Sequence, residues 1–541
     1  MPKLKPFLLS VLTGLLLALG WPATGGFSPF LFLGLIPLLW MHELKTIEKN
    51  GSIFGYALIA FALFNLLTTW WIYCVTESLT TKIFVLLAAI MVNSILMAMV
   101  LQLFHFTRKT LGLKKGLIAL VVYWLGFEYL HLDWDLSWPW LTLGNGFASH
   151  PTWVQWYEYT GSLGGSLWIW ITNIFGFLLV KNAVERTKPL AYLSYRIPLW
   201  LLVVGGPILF SYTIYNQYAI KNNPVNIVIV QPNIDPYQEK YDLSPDEQLQ
   251  KMLALAQPLV DTSTHYILGP ETAITEDVWE NEPENALSII ALRNFLANYP
   301  NTHFVSGIST YYLFDPDEKR SNTARPLYNN QGYYDAYNSA IQLDNSTHLQ
   351  LYHKSKLVQG VEMIPFASIM KPLQKLTIEL GGTIGGLGSQ PEPETFRSVD
   401  GTTQIAPVIC YESIYGEYVV NYIRKGAGLI FIMTNDGWWK DTPGYQQHLA
   451  YARLRAIETR RSIARSANTG VSAFINQKGD IIKKTDWWEP AALSGQLDIN
   501  EDLTFYVMYG DYLGRLASFL GIGMLLYTLV TSLKRKNSGI S

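Results

Sequence analysis

The sequence predicts a two-part protein: a multi-pass α-helical membrane domain of eight spans joined to an exported α/β domain. Three observations carry this. At 541 residues the chain is too long for one hydrophobic core. It is 49% hydrophobic and 14% aromatic with 18 Trp, and its mean hydropathy is positive, most of the excess lying in the first 215 residues. From residue 217 on, short β-branched runs alternate with amphipathic stretches, the pattern of a layered α/β domain.

Taken in order, apolar segments fall at 7–23, 28–44, 53–75, 82–105, 117–131, 166–182 and 197–215, with an eighth at 513–533. Each approaches the roughly 20 residues needed to cross a bilayer once flanking Trp and Tyr are placed in the interface. The first has the charge pattern of a signal peptide, with Lys3 and Lys5 ahead of it, but further spans follow at once and it reads as a retained helix. If every segment crosses once, Lys3, Lys45, Arg108, Lys109, Lys114, Lys115, Lys181, Arg186 and Lys534–Lys536 all fall on one side. The positive-inside rule makes that side cytoplasmic, with both termini there and residues 217–512 outside. The expected divisions are 1–216 (seven spans), 217–512 (exported domain) and 513–541 (eighth span and tail). The connection from His131 to Gly165 carries Trp134, Trp138, Trp140, Trp153 and Trp156 without Lys or Arg; it reads as an interfacial aromatic belt, or as a surface admitting lipid chains.

In the outer part, strands are expected at Asn226–Val230, His265–Leu268, His303–Gly307, Leu349–Tyr352, Ile405–Ile409, Leu429–Met433, Ile463–Arg465 and Val471–Ile475, and helices at Glu284–Ala297 and Gly444–Arg461. The glycine cluster Gly381–Gly388 has no lysine and no P-loop pattern, and reads as a loop rather than a phosphate site. The net charge of −2 and the lack of a basic run in the soluble part give no reason to expect nucleic acid. The nine His show no ligand spacing, so neither metal nor other cofactor is expected.

Three predicted strands end on groups able to do chemistry. Ile267-Leu-Gly-Pro-Glu271 ends on a carboxylate, Leu351-Tyr-His-Lys354 on an amine and Val408-Ile-Cys410 on a thiol. Cys410 is one of two cysteines, and a disulfide to Cys74, which lies in an apolar segment, is not expected. A lone Cys is commonly inert and buried; as a nucleophile it needs a base for its proton and a cation for the oxyanion, roles that Glu271 and Lys354 can fill if the three meet.

The residues around these positions resemble the nitrilase superfamily, in which Glu, Lys and Cys act together on an αββα sandwich. The strings are Gly269-Pro-Glu-Thr272, Tyr352-His-Lys-Ser-Lys-Leu-Val358 with Glu362, Ile409-Cys-Tyr-Glu412 and Asn435-Asp-Gly-Trp-Trp439. Gln447–Glu458, Arg465-Ser-Ala-Asn-Thr-Gly470 and, in the membrane half, Ser137–Gly144 are similar to the membrane branch of that superfamily, the apolipoprotein N-acyltransferases.

The resemblance implies a multi-pass protein of the bacterial inner membrane, with its catalytic domain periplasmic. It implies a phospholipid acyl donor such as phosphatidylethanolamine, a Cys410 thioester, and a diacylglyceryl apolipoprotein as acceptor. Catalysis would rest on Glu271 as base, Lys354 with a backbone N–H after the nucleophile for the oxyanion, and Cys410. Glu362, Tyr411 and Glu412 would support them, and Tyr241 would be a lid aromatic. A monomer is expected. Two departures stand out: Gly269 where the family usually has Trp, and Val361 where glycine precedes the acid. The alternatives are a membrane-tethered amidase that gives the acyl group to water, and a transporter or scaffold, which would require ionisable residues within the spans, where few besides Glu128 occur.

Overall fold

The computed structural model describes residues 4–47, 52–75, 78–186, 189–328, 332–366 and 386–537. The chain divides into two compact units, residues 1–73, 83–217 and 509–541 in the first and 74–82 and 218–508 in the second.

The first unit is helical. Among the described residues five helices, at Phe54–Cys74, Leu79–Leu111, Tyr157–Glu185, Tyr192–Gln217 and Tyr512–Asn537, are long and apolar enough to cross a membrane. Leu4–Gly20, Ile36–Ile47 and Leu113–Leu130 are shorter helices within the remaining apolar segments. Where helices meet closely a glycine stands: a Cβ on Gly14 would come within 2.7 Å of Ala60 O, and one on Gly514 within 2.5 Å of the Tyr129 side chain. Polar side chains in the interior find one another, as Asn93 donates to Asn65 (2.6 Å), and Arg108 and Lys181 both pair with Glu43 (2.5 and 2.7 Å). The tryptophan-rich connection is not a surface belt throughout. Trp140, Leu143, Phe147 and Trp156 are buried, while Trp134 remains exposed. Leu143 N–H is anchored on the Glu128 carboxylate (2.8 Å), and Gly144 C=O on the Tyr157 hydroxyl (2.8 Å). Glu128 is thereby used to hold this connection.

Among the described residues the second unit carries fourteen strands in two sheets. They are β1 (Pro224–Gln231), β2 (Tyr266–Leu268), β3 (Ile274–Trp279), β4 (His303–Leu313), β5 (Arg325–Pro326), β6 (Tyr333–Leu343), β7 (Leu349–His353), β8 (Phe396–Arg397), β9 (Gln404–Ile409), β10 (Leu429–Thr434), β11 (Ser462–Ala467), β12 (Ala473–Ile475), β13 (Ile481–Lys484) and β14 (Ala491–Asp498). One sheet runs β14-β1-β2-β4-β6-β5, with β3 on β4 and β7 on β6; the other runs β13-β12-β11-β10-β9-β8. The sheets face each other, as Tyr266 of β2 meets Phe431 of β10 edge to face at 5.1 Å and Ser466 of β11 donates to Val230 C=O of β1.

Helices cover the outer faces. Pro245–Ala256 starts with a Ser244–Glu247 capping box and lays Leu249, Met252 and Leu253 on the first sheet beside Ile289, Leu292 and Leu296 of helix Leu287–Leu296. Gly416–Arg424 and Pro443–Thr459 pack on the second sheet. The order is therefore α/β/β/α. β9, β10 and β11 are mutually parallel and buried on both faces; β9 and β10 are mostly apolar, as such strands usually are, while β11 carries the buried polar side chains Ser462, Arg465 and Ser466.

Candidate active site

Glu271 stands in a break between two strands. β2 and β3 both pair in parallel with β4, and between them, after Gly269 N–H and Pro270 C=O have bonded to Val305 and Gly307 of β4, the chain leaves the ladder at Glu271 and Thr272. Gly307 of β4 makes that departure possible, because a Cβ there would lie 2.6 Å from Glu271 Cα and 2.5 Å from Thr272 N. Thr272, at φ +46°, then turns the chain back. Gly269 has a local cause too: a side chain there would strike Ser306 Oγ at 2.5 Å.

Lys354 sits one residue past β7, and its N–H extends the antiparallel ladder to Asn338 C=O (2.8 Å). Cys410 follows β9 directly as the first residue of the 3₁₀ turn Cys410–Ile414, in a left-handed conformation (φ +47°) that breaks the extended run of the strand.

The three side chains meet. Lys354 Nζ lies 2.9 Å from Glu271 Oε1 and 2.9 Å from Glu362 Oε1. Asn338 Nδ2 donates to the same two oxygens (2.9 and 2.8 Å). The Cys410 thiol faces both Glu271 and Lys354. Burial pushes the thiol well above its ordinary range, and the Glu271 charge adds to this, so it rests as a neutral S–H. Burial also works against ionising Glu271, but the Lys354 ammonium outweighs it and holds the carboxyl below the usual range. Lys354 is held well above its ordinary value, burial being overcome by Glu271 and Glu362.

Glu362 is fixed by Val358 N–H (2.8 Å). The left-handed turn of its loop falls on Gly360 (φ +80°), so Val361 is not asked to supply it. Glu412, fully buried, binds two strand ends together: it accepts from Tyr352 OH (2.5 Å), Ser355 N–H (2.7 Å) and Ile409 N–H (2.9 Å). That one carboxylate sets the Lys354 turn against the Cys410 turn. Burial raises its pKa. Tyr411 is buried with its ring edge to face against Tyr415. The side chain of Tyr241 lies outside the described residues, as does most of the Gly381–Gly388 cluster. Just before Tyr241 in the chain, the Tyr237 hydroxyl lies within hydrogen-bond distance of Trp438 C=O (2.9 Å), while Lys240 donates to Thr272 Oγ1 (2.8 Å). Tyr237, Lys440, Asp441, Trp487 and Trp488 line an open cleft of about 500 Å³.

Behind Cys410 lies a second polar group for which the sequence offered strings but no roles. Asp436 accepts from Arg465 (2.6 Å) and Thr434 (2.8 Å) and pairs with His448 Nδ1 (2.9 Å). His448 Nε2 meets Ser413 Oγ (2.9 Å), and Ser413 donates to Cys410 C=O (2.7 Å). Although burial disfavours its charge, Asp436 is held far below the usual carboxylate range by Arg465 and His448.

Residues 226–501 match the carbon-nitrogen hydrolase family, and residues 13–175 match the apolipoprotein N-acyltransferase N-terminal domain. The chain is 30% identical to the apolipoprotein N-acyltransferase of Chlorobaculum tepidum, over 98% of this chain and 97% of that protein. It is 25% identical to that of Geobacter metallireducens (94% and 92% covered) and 26% identical to that of Thermotoga maritima (95% and 92%). The chain belongs to the apolipoprotein N-acyltransferase family.

Proposed function

We propose that the protein transfers a fatty acyl chain from a membrane phospholipid, through a thioester on Cys410, to the α-amine of the diacylglyceryl-modified N-terminal cysteine of lipoproteins. The observation that carries this reading is the juxtaposition of a buried neutral thiol, an ionised Glu271 and a Lys354 ammonium within one hydrogen-bonded cluster.

In the first half-reaction Glu271 takes the thiol proton as Sγ attacks the ester carbonyl. Lys354 and the Tyr411 N–H hold the oxyanion. Collapse breaks the C–O bond, and Glu271 returns the proton to the departing lysophospholipid oxygen. In the second, the acceptor amine attacks the thioester and gives its proton to Glu271, and the C–S bond breaks. Glu362 keeps Lys354 aimed. Glu412 keeps the two strand ends in register. The donor is phosphatidylethanolamine, and the protein works as a monomer in the bacterial inner membrane. It crosses that membrane eight times, with residues 217–512 periplasmic and both termini cytoplasmic. A membrane-bound site lets donor and lipid-anchored acceptor arrive by two-dimensional diffusion.

The test is incubation of the purified protein with acyl-labelled phosphatidylethanolamine. A hydroxylamine-sensitive adduct on the wild type, absent in Cys410→Ala, is expected; an adduct that persists in Cys410→Ala refutes the assignment.

A further inference from the structure

The geometry points to Thr434 as the hydrogen-bond donor that stabilises the Cys410 sulfur whenever it carries negative charge, with Asp436 as the acceptor that holds its hydrogen in between. This rests on the reading of Cys410 as the nucleophile. Thr434 ends β10, whose parallel register places Met433 beside Ile409, and so puts Thr434 beside Cys410. Its side chain is fully buried, with Oγ1 3.3 Å from Cys410 Sγ and 2.8 Å from Asp436 Oδ1.

A hydroxyl has one hydrogen to donate. With the sulfur as a neutral thiol, the stronger acceptor is the Asp436 carboxylate, and the hydrogen lies there. When the thiol loses its proton to Glu271, a second anionic acceptor appears. Turning the hydroxyl toward sulfur then needs only rotation about the Cβ–Oγ bond. Asp436 can release it because Arg465 Nη2 (2.6 Å) and His448 Nδ1 (2.9 Å) remain on its two oxygens. The released carboxylate is not orphaned, which is what would otherwise make the exchange costly.

The sulfur becomes anionic twice: when Glu271 removes the S–H proton during acylation, and when the C–S bond breaks during aminolysis and sulfur leaves with the electron pair. In the second case Glu271, holding the proton from the amine, returns it to sulfur, and Thr434 turns back to Asp436. Atoms and charge balance over the cycle, and no co-reactant is needed. The charged groups facing Cys410 are Glu271 from the β2–β3 connection, Lys354 after β7 and Asp436 after β10. His448 of helix Pro443–Thr459 reaches the Cys410 carbonyl at 3.3 Å. Of these, only Lys354 is a cation close to the sulfur, and it is already shared between Glu271 and Glu362. A hydroxyl that turns to the sulfur whenever it is charged answers that deficit.

The test uses full-length protein in lipid nanodiscs, comparing the wild type, Thr434→Val and Thr434→Ser. Two quantities are read: the single-turnover rate of acyl-adduct formation from labelled phosphatidylethanolamine at neutral pH, and thiolate absorbance followed from neutral into the alkaline range where the raised thiol titrates. Thr434→Val is expected to slow acylation about tenfold to hundredfold, the scale of one hydrogen bond to a charged group, and to move the thiol titration upward. Thr434→Ser is expected to restore both. Should Thr434→Val fail to fold, Thr434→Ala serves as the hydroxyl-free variant. The inference is overturned if the hydroxyl-free variant keeps the wild-type rate and titration, or if Thr434→Ser is as slow as Thr434→Val, which marks a packing role. A wild type that carries no adduct on Cys410 overturns the parent reading as well, and this is seen before any variant is compared.

Discussion

The two sides of Cys410 are built from different balances of charge. In front, two carboxylates, Glu271 and Glu362, share one ammonium, and their side chains keep 9% and 12% of their exposure. Behind, Asp436 and Arg465 are fully sealed and matched one to one, with His448 and Thr434 completing the carboxylate's contacts. The front has a proton-accepting surplus and access, and is suited to passing protons. The back is closed and charge-matched, and is suited to holding the strained Cys410 turn in place.

The comparison is sharpened by substitutions on each side, and the largest effect belongs to the residue between them. Cys410→Ala should abolish acyl transfer while leaving the thermal unfolding profile in detergent close to wild type. On the back, Asp436→Asn leaves the buried Arg465 cation without its partner, and should cost about 3–5 kcal/mol of stability. Because the Asp436 carboxyl is held below its unfolded value of about 3.9, its contribution is present above that pH and is lost as pH falls through the lower folded value. The gap between wild type and Asp436→Asn, followed by thermal unfolding, should therefore narrow under strong acid. On the front, Glu271→Gln and Lys354→Ala should each lower single-turnover acylation by about 10² or more. Glu271→Gln should stay folded. A near-normal rate in either would remove that residue from the chemistry, and a collapse of folding in Glu271→Gln would erase the distinction between the two sides. Smaller still, Glu412→Gln puts an amide donor against the N–H groups of Ser355 or Ile409, and should cost about 1–3 kcal/mol.

Much of this site could be read from the sequence because its reactive residues end strands. Glu271, Lys354 and Cys410 each follow a short apolar run, and the strings around them carried the family resemblance. What the sequence did not disclose were the residues that make them meet. Asn338, which joins Glu271 to Glu362, lies in β6, where Asp335, Asn338, Ser339 and Gln342 interrupt the apolar pattern that marks a strand. Those polar groups are buried facing neighbouring strands and loops, so hydropathy hid the strand. β3 escaped for a related reason, since Thr275, Glu276 and Asp277 make it look like a loop. Gly307 gave no local sign of its role, which is to leave room for a backbone distant in sequence. A glycine within an apolar strand was the available signal. The tryptophan-rich connection is only in part the belt its composition suggests, because hydrogen bonds to Glu128 and to Tyr157 within it hold Leu143 and Gly144 inside while Trp134 stays exposed.

The pH profile is the mildest test of the comparison. With the thiol raised and Glu271 depressed, acylation should be nearly flat through neutral pH and fall only in acid below the ordinary glutamate range of about 4.3. A roughly tenfold rise per pH unit toward 8.5 would instead mean a free thiolate attacks without Glu271.

The central claim is that Cys410 hands its acyl group to an amine. The most direct measurement is a chase: acyl-enzyme formed with labelled phospholipid is mixed with a diacylglyceryl-cysteine peptide, or with buffer alone, and the label is followed. The account predicts rapid transfer of label to the peptide amine and a long-lived adduct in buffer. Loss of the adduct to free fatty acid at the same rate with and without the peptide would contradict it, and would make the protein a hydrolase.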